Sequence, residues 1–354
     1  MPVKAALQFL FCASALAQGW GRNEMMSPWL EGRDIEAEQR FVLMMKQSPP
    51  EMQDMLLLWH ADFDIEYGRF GRAAALITQA SKAAGYGEGM FSERRLARLR
   101  CATGRFAEAW RIALEGHQWD GRDVRKLKVS SPMQLVTLGE VLLARGEFSE
   151  AIAVLEKARG KAKNVQDLDG FEWVRAQNGI AIANLGVGSV QTASEVAEFA
   201  LSEAEREWGP ASIPAVDVVD TIGLIRLFQS RLDEAEDLFS RSRIRREAIY
   251  GTRHPKTGES YRHAALLSAA RKDSARAVSL ITQGLDVERA LAAVPNGRWA
   301  LALLSGAELF AGTGRVEDAA GWYEEAIPVL ELELGPGAPR LANARKQQSA
   351  LAGR

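Results

Sequence analysis

Cysteine is nearly missing from this chain: its 354 residues include two, Cys12 and Cys101. That rules out a disulfide framework and any zinc site built on cysteine pairs. Histidine is almost as scarce, and His60, His117, His254 and His263 show no HExxH spacing that would set two imidazoles on one helix face. An excess of one charge is lacking as well. Forty-four basic residues face forty-six acidic ones, a net charge of -2, so nothing draws the whole chain toward nucleic acid or an anionic membrane. No GxSxG elbow and no Cys–His pairing stands in the sequence, which removes the common nucleophile arrangements. Two look-alikes fail on context. "HADFDIEYG", His60 to Gly68, spaces its aspartates like a calcium loop but brings the glycine one residue too late. "GYGEGMF", Gly85 to Phe91, follows no strand and so makes a poor phosphate cradle. No catalytic group, metal or cofactor is expected.

Long apolar runs are missing too, with one exception at the start. Lys4 precedes "AALQFLFCASALA", which at about thirteen residues is short for a membrane span. Ala15-Leu16-Ala17 before Gln18 has the small-x-small order of a secretory cleavage site. Residues 1–17 therefore read as an export signal and the protein as periplasmic or secreted; the alternative is a buried first helix. Cleavage after Ala17 would leave Cys101 as the only cysteine. "FLFC", Phe9 to Cys12, lacks the small residues that precede a lipidated cysteine.

What the sequence has in abundance is repetition. "RGEFSEAIAVLEKA", Arg145 to Ala158, returns in outline as "GRFGRAAALITQA", "GRFAEAWRIAL" and "GRVEDAAGWYEEA". Aligned on one alanine, the copies place Ala73, Ala109, Ala151, Ala193, Ala235, Ala277 and Ala319 in register, with a first step of 36 residues and later steps of 42. A fixed period of this size is the mark of a solenoid. Five residues before the alanine stands Gly68, Gly104, Gly146, Gly188 or Gly314, with Ser230 and Lys272 in the other two copies. Glycine there suits a left-handed residue that ends one helix and turns the chain into the next. An apolar residue follows two positions later in most copies, from Phe70 to Val316, and Ser274 breaks the rule. Leu135, Leu138 and Leu142 before the turn, and Ile152, Leu155 and Ala158 after it, keep helical spacing. The unit is helix, turn, helix, and one unit cannot cover its own apolar face; stacking does. Seven such hairpins should form an elongated, curved array.

Gly139, Gly146, Ala151 and Ala158 together resemble the tetratricopeptide repeat, and the 42-residue step resembles its longer subclass, seen in kinesin light chains. That subclass carries an "LGPxHP" type of loop, matched here by "EWGPASIPAV" at 207–216, "IYGTRHPKTG" at 249–258 and "ELGPGAPRLA" at 333–342. The resemblance covers residues 55–352 and implies an all-α, right-handed superhelical solenoid of about seven repeats with a C-terminal capping helix. Residues 18–54 fall outside the pattern, with "QSPPEMQD" at 47–54 marking a break.

The resemblance further implies that the first helix of each hairpin lines a concave groove. In that register the groove carries Arg94, Arg98, Glu140, Arg175, Asn178, Asp217, Asp220, Arg262 and Glu308, beside Met133, Val136, Leu143, Leu224, Phe228 and Leu304. The paired asparagines of the family's "LNNLA" pattern are reduced to Asn178 in "AQNGIAIA", so an asparagine ladder for a peptide backbone is doubtful and a more apolar or helical partner is equally open. Arg94, Arg95, Arg98, Arg100, Arg105, Arg111, Arg122, Arg125, Lys126 and Lys128 read as a solvated basic end. Trp110 and Trp322 read as core residues of second helices, whereas Trp20 and Trp29 are free to dock. The expected function is a non-enzymatic scaffold that binds another protein or peptide in its groove, without nucleic acid or a membrane span; the alternative is a module that self-associates or senses a small ligand.

Overall fold

The computed structural model describes residues 28–48, 50–83, 89–115, 126–128, 131–162, 170–292 and 294–352. The export reading of residues 1–17, Trp20, His117, Arg122 and Arg125 lie outside them. The described residues form sixteen helices of nine or more residues and no strand. First helices are α2 (Pro50–Glu66), α4 (Gly89–Ala102), α6 (Pro132–Arg145), α8 (Gly170–Gly186), α10 (Ile213–Phe228), α12 (Pro255–Ala270) and α14 (Gly297–Gly312). Their second helices are α3 (Phe70–Ala83), α5 (Phe106–Leu114), α7 (Phe148–Ala162), α9 (Val190–Trp208), α11 (Leu232–Tyr250), α13 (Ser274–Leu291) and α15 (Val316–Leu334). A helix α1 (Asp34–Gln47) precedes them and α16 (Pro339–Ala352) follows. The assembly is a right-handed solenoid of helical hairpins.

Turn chemistry sets each hairpin. All seven turn residues are left-handed, the glycines with φ from 68° to 82°, Ser230 at 59° and Lys272 at 64°. At Gly146 the reversal returns its own N–H to Leu143 O at 3.1 Å and the N–H of Glu147 to Leu142 O at 3.0 Å, which satisfies the last carbonyls of α6. All seven hinge alanines, from Ala73 to Ala319, are fully buried where the paired helices meet. The loops end as their composition predicts: Gly209, Gly251 and Gly335 close second helices at positive φ, and proline opens α10, α12 and α16.

The repeat pattern also reaches further back than the sequence reading placed it. Within the segment 18–54, Gly32 is left-handed at φ 77° and Ala37 is fully buried, 36 residues before Gly68 and Ala73. "GRDIEAEQRF" is thus another copy of the turn and second helix, with α1 as that helix. Trp29, just before it, is not free to dock. Its ring is 2% exposed and packs against Phe63 and Phe171, with centroids 6.4 and 5.6 Å away.

The array is not extended. After five repeats it meets itself, so a second layer of helices sits on the first. The Glu66 carbonyl at the end of α2 lies 3.1 Å from Nε2 of His254, the N-cap of α12. Gly297 N donates to Gly104 O at 2.8 Å, joining α14 to the turn after α4. Arg340 donates to Leu143 O at 3.1 Å and Arg145 to Leu334 O, joining α16 and α15 to the turn after α6. Arg245 of α11 donates to Glu31 O at 2.7 Å. The layers share apolar core as well: Cys101, Phe106, Ala109 and Val141 belong to one buried cluster with Ala300, Leu304, Leu330 and Leu341. An elongated array would leave that surface wet, and its burial is what closes the coil.

Candidate functional site

Closing the coil turns the expected open groove into an interior cleft of about 360 Å³ at the junction of the two layers. Six of the nine candidate groove residues are brought together there: Arg98, Glu140, Arg175, Asn178, Asp217 and Asp220. The other three sit elsewhere. Arg94 stacks over the Phe91 ring at 5.2 Å, Arg262 pairs with Glu288 at 3.2 Å, and Glu308 is exposed on α14. Of the apolar candidates Leu143 and Leu224 line the cleft, whereas Val136 and Leu304 are buried in the core instead.

Chemically the cleft is a mesh of ion pairs. Arg98 is 2% exposed, bonded to Asp62 at 3.1 Å and to Glu66. Arg95 joins Asp62 at 2.8 Å. The expected solvated basic end is therefore wrong at these two positions. Asp62 and Glu66, one repeat earlier on the facing helix, take the guanidiniums inward and repay their desolvation. Arg175 spans Glu140 and Glu172, and Arg246 gathers Asp217 and Asp220, each at 3.1 Å. Lys256 binds Asp217 and faces Glu66 at 3.6 Å, while His263 Nδ1 lies 2.7 Å from Asp220.

These partners set the titration. Burial alone would raise the Glu66 carboxyl, but Lys256 and Arg98 bring it down to about 2. Burial would likewise raise Asp220, yet Arg246 and His263 hold it well below the usual carboxylate range. Glu172 goes the other way, since burial outweighs Arg175 and Arg98. His254 is pushed down to about 3 by burial and then by the nearby charges of Lys256 and Arg298. Burial, aided by Glu140, also raises the Cys101 thiol well above its ordinary value, so it is no nucleophile at neutral pH.

Sequence reasoning missed Glu66, Arg246, His254, Lys256, Glu259 and Arg298, which also line the cleft. Glu259 was within reach, because it stands 42 residues after Asp217 and 84 after Arg175. Arg246 comes from a second helix, and Lys256 meets Glu66 only because the coil closes. Asn178 is set apart from the mesh: its Oδ1 is buried and has no hydrogen-bond partner. No group of histidine, cysteine, aspartate and glutamate suited to a metal is found among the described residues. Asp62 and Asp64 of the calcium look-alike are engaged by Arg95, Arg98 and Arg72. No described helix is long and apolar enough to cross a membrane.

Comparison with known proteins agrees with this architecture. The tetratricopeptide repeat family pattern matches residues 216–290. No curated protein matches the sequence. Among solved structures, a Rap protein complexed with Competence and Sporulation Factor superposes over 84% of this chain and 87% of its own, at 12% identity and a TM-score of 0.59. The APC/C hetero-tetramer Cut9–Hcn1 superposes over 92% of this chain at 10% identity and a TM-score of 0.57. This chain spans about half, 54%, of that protein. At such identities the likeness is one of fold.

Proposed function

We infer that this chain, a tetratricopeptide repeat protein, is a non-catalytic scaffold that holds a segment of another protein in the interior of its coil. The observation that carries the reading is the convergence of six separately positioned groove residues on one cleft, with the Asn178 carboxamide oxygen left there without a partner. A buried acceptor without a donor costs about 1–3 kcal/mol, and a bound segment with N–H groups removes that cost. The neighbours named above, one crystallised with Competence and Sporulation Factor and one within a hetero-tetramer, are proteins of this fold seen with partners. The cleft thiol, Cys101, donates to Glu140 at 3.7 Å, and burial keeps it protonated at neutral pH, which makes it a poor nucleophile. The leader-like residues 1–17 support action outside the cytoplasm, and an intact mass beginning at Gln18 is the result that reading requires.

Arg175 is a poor probe of binding, because its removal strands Glu172 and Glu140 at an expected cost of about 3–5 kcal/mol. Asn178→Tyr is better, since it fills the cleft while leaving the ion pairs in place. With a partner recovered by crosslinking in the envelope fraction, Asn178→Tyr is expected to weaken binding at least about tenfold, or about 1.4 kcal/mol. Arg243→Ala on the outer helix α11 should change nothing. Equal affinities for Asn178→Tyr and wild type would move the binding surface outside the coil.

A further inference from the structure

We propose that His254 is an acid-operated clasp: protonation of its imidazole parts the two layers of the coil at the turn after α2 and uncovers the cleft they enclose. Both ring nitrogens are committed at the seam. Nδ1 accepts the backbone N–H of Lys256 at 3.2 Å and so caps α12, which leaves the ring's proton on Nε2, aimed at Glu66 O 3.1 Å away in the other layer. The residue is 4% exposed and its ring stacks on Tyr250 with centroids 4.1 Å apart. It lies so close to the turn that a Cβ on Gly68 would meet it at 2.7 Å. A second proton has one place to go, Nδ1, where it would face the Lys256 N–H donor to donor. Cap and imidazolium therefore exclude each other in this space.

The groups around the ring point the same way. Lys256 of α12 and Arg298 of α14 oppose a further positive charge, and the Glu66 carboxylate of α2, which would favour it, is already bonded to Arg98. Asp217 of α10 is held by Lys256 and Arg246, and Arg69, in the turn beside Gly68, reaches away to Asp34 at 2.9 Å. Tyr250 of α11 is neutral. A charged ring is accommodated by leaving for water, and the bond between the layers goes with it. The other described histidines differ: His60 lies 3.0 Å from Glu38 and His263 2.7 Å from Asp220, so each has a carboxylate to receive its charge. What the clasp shuts in follows from the same contacts. His254, Lys256 and Cys101 line one cleft, and Cys101 is buried in one cluster with Ala300 and Leu304 of the second layer. Parting the layers opens that cleft to solvent and, on the interior-binding reading above, frees the segment held there.

The test uses the full chain without a partner and with Cys12→Ser, which leaves Cys101 as its one thiol. Labelling of Cys101 by 4,4′-dithiodipyridine is timed at pH 7, 6, 5 and 4.5, and each rate is divided by that of the same chain unfolded in urea. The quotient measures opening. Because the open state takes up one proton that the closed state refuses, it should rise about tenfold for each pH unit below about 6.5. Hydrogen exchange followed by mass spectrometry, corrected for the intrinsic effect of pH, should show the same rise in segments 250–258 and 294–300, which hold the Lys256 and Gly297 amides. Segment 193–204 of α9, beside the open turn at Gly188, should show none. His254→Asn keeps a cap for α12, as Asn296 caps α14, but does not titrate; it should open more at pH 7 and lose the dependence on pH. His263→Gln should keep that dependence. A quotient flat from pH 7 to 4.5, a slope retained in His254→Asn, or an equal rise in 193–204, the mark of global unfolding, overturns the clasp. These results are read without a partner, so their failure leaves the interior-binding reading standing, and failure of the Asn178→Tyr test leaves the clasp standing.

Discussion

Among the described residues, the eight left-handed turns that lead into a second helix fall into two sets that share a conformation and differ in surroundings. At Gly32, Gly68, Gly104 and Gly146 the second layer of the coil lies against the turn. A Cβ there would meet Ile249 Cγ1 at 2.8 Å, His254 Cδ2 at 2.7 Å, the Arg298 backbone N at 2.6 Å and Arg340 atoms at 3.3 Å. At Gly188 and Gly314 nothing lies within 4 Å, and at the two remaining open turns the residue is Ser230 or Lys272. Glycine in the first set answers two demands, positive φ and close approach; in the second set only the first applies, and it is the set that holds the two non-glycine residues. The seam between layers is therefore recorded in the distribution of glycine, four of four against two of four.

Acid is the strongest way to break this comparison, because the seam carries His254. In the folded coil its imidazole titrates near 3, whereas its ordinary value is 6.5. Between those values the unfolded chain takes up a proton that the folded chain does not, so stability is full above about pH 6.5 and falls as the pH drops toward 3. Across the whole window the loss is on the order of 5 kcal/mol. Glu66, held at about 2 against an ordinary 4.5, adds a loss of the same sign below pH 4.5. Urea melts at pH 7, 6, 5 and 4.5 should show the decline, and His254→Gln should flatten it between 6.5 and 4.5. A slope unchanged in that variant would mean that His254 is solvated and this part of the seam open.

The glycines sharpen the same contrast. Gly104→Ala adds a left-handed penalty of about 1–2 kcal/mol to a clash with backbone of about 1–3 kcal/mol, for an expected loss of about 3 kcal/mol. Gly188→Ala meets only the first penalty and should cost about 1 kcal/mol. Equal shifts in the urea midpoint would show that the layers do not touch in solution.

Hinge substitutions should ignore the seam. Ala151 belongs to a stacked repeat and Ala277 to an open one, yet both are fully buried between the helices of their own hairpin. Ala151→Leu and Ala277→Leu are each expected to cost about 1–3 kcal/mol by overpacking. A clear difference between the two would tie the hinge to the closure of the coil.

The sequence carried the hairpin almost completely, because turn and hinge are local. Left-handed residues and small contact residues announce themselves by type and spacing, down to Ser230 and Lys272, which keep the conformation that glycine has elsewhere. The coil's closure was not legible in the same way. It depends on small rotations summed over five repeats, and its contacts, such as His254 with Glu66, join residues 188 apart. The candidate site divides along that line. Register placed Arg98, Glu140, Arg175, Asn178, Asp217 and Asp220 on the inner wall, while Lys256 and Arg298 reach it through closure. Exposure could not be read either: Arg95 and Arg98 looked like solvent-facing cations until Asp62 and Glu66 were seen opposite them. The copy at Gly32 and Ala37 was readable in "GRDIEA" but stood alone, separated from the later repeats by "QSPPEMQD".

Lys272 gives the smallest and cleanest form of the comparison. Its φ of 64° costs an L-residue about 1–2 kcal/mol, and it lies in the set of turns that the second layer does not reach. Glycine would relieve that strain but release more chain entropy on unfolding, about 0.5–1 kcal/mol, so Lys272→Gly should stabilise by about 0.5–1 kcal/mol. Lysine at an open turn is then tolerated because no neighbour needs the space its side chain occupies. The reverse change, Gly104→Lys, puts the same side chain against Arg298 and should unfold the second layer. Calorimetry on the pair decides the matter: a Lys272→Gly variant that melts lower than wild type would show that the lysine makes a contact its open surroundings do not suggest, and the division of the turns into stacked and open would lose its physical basis.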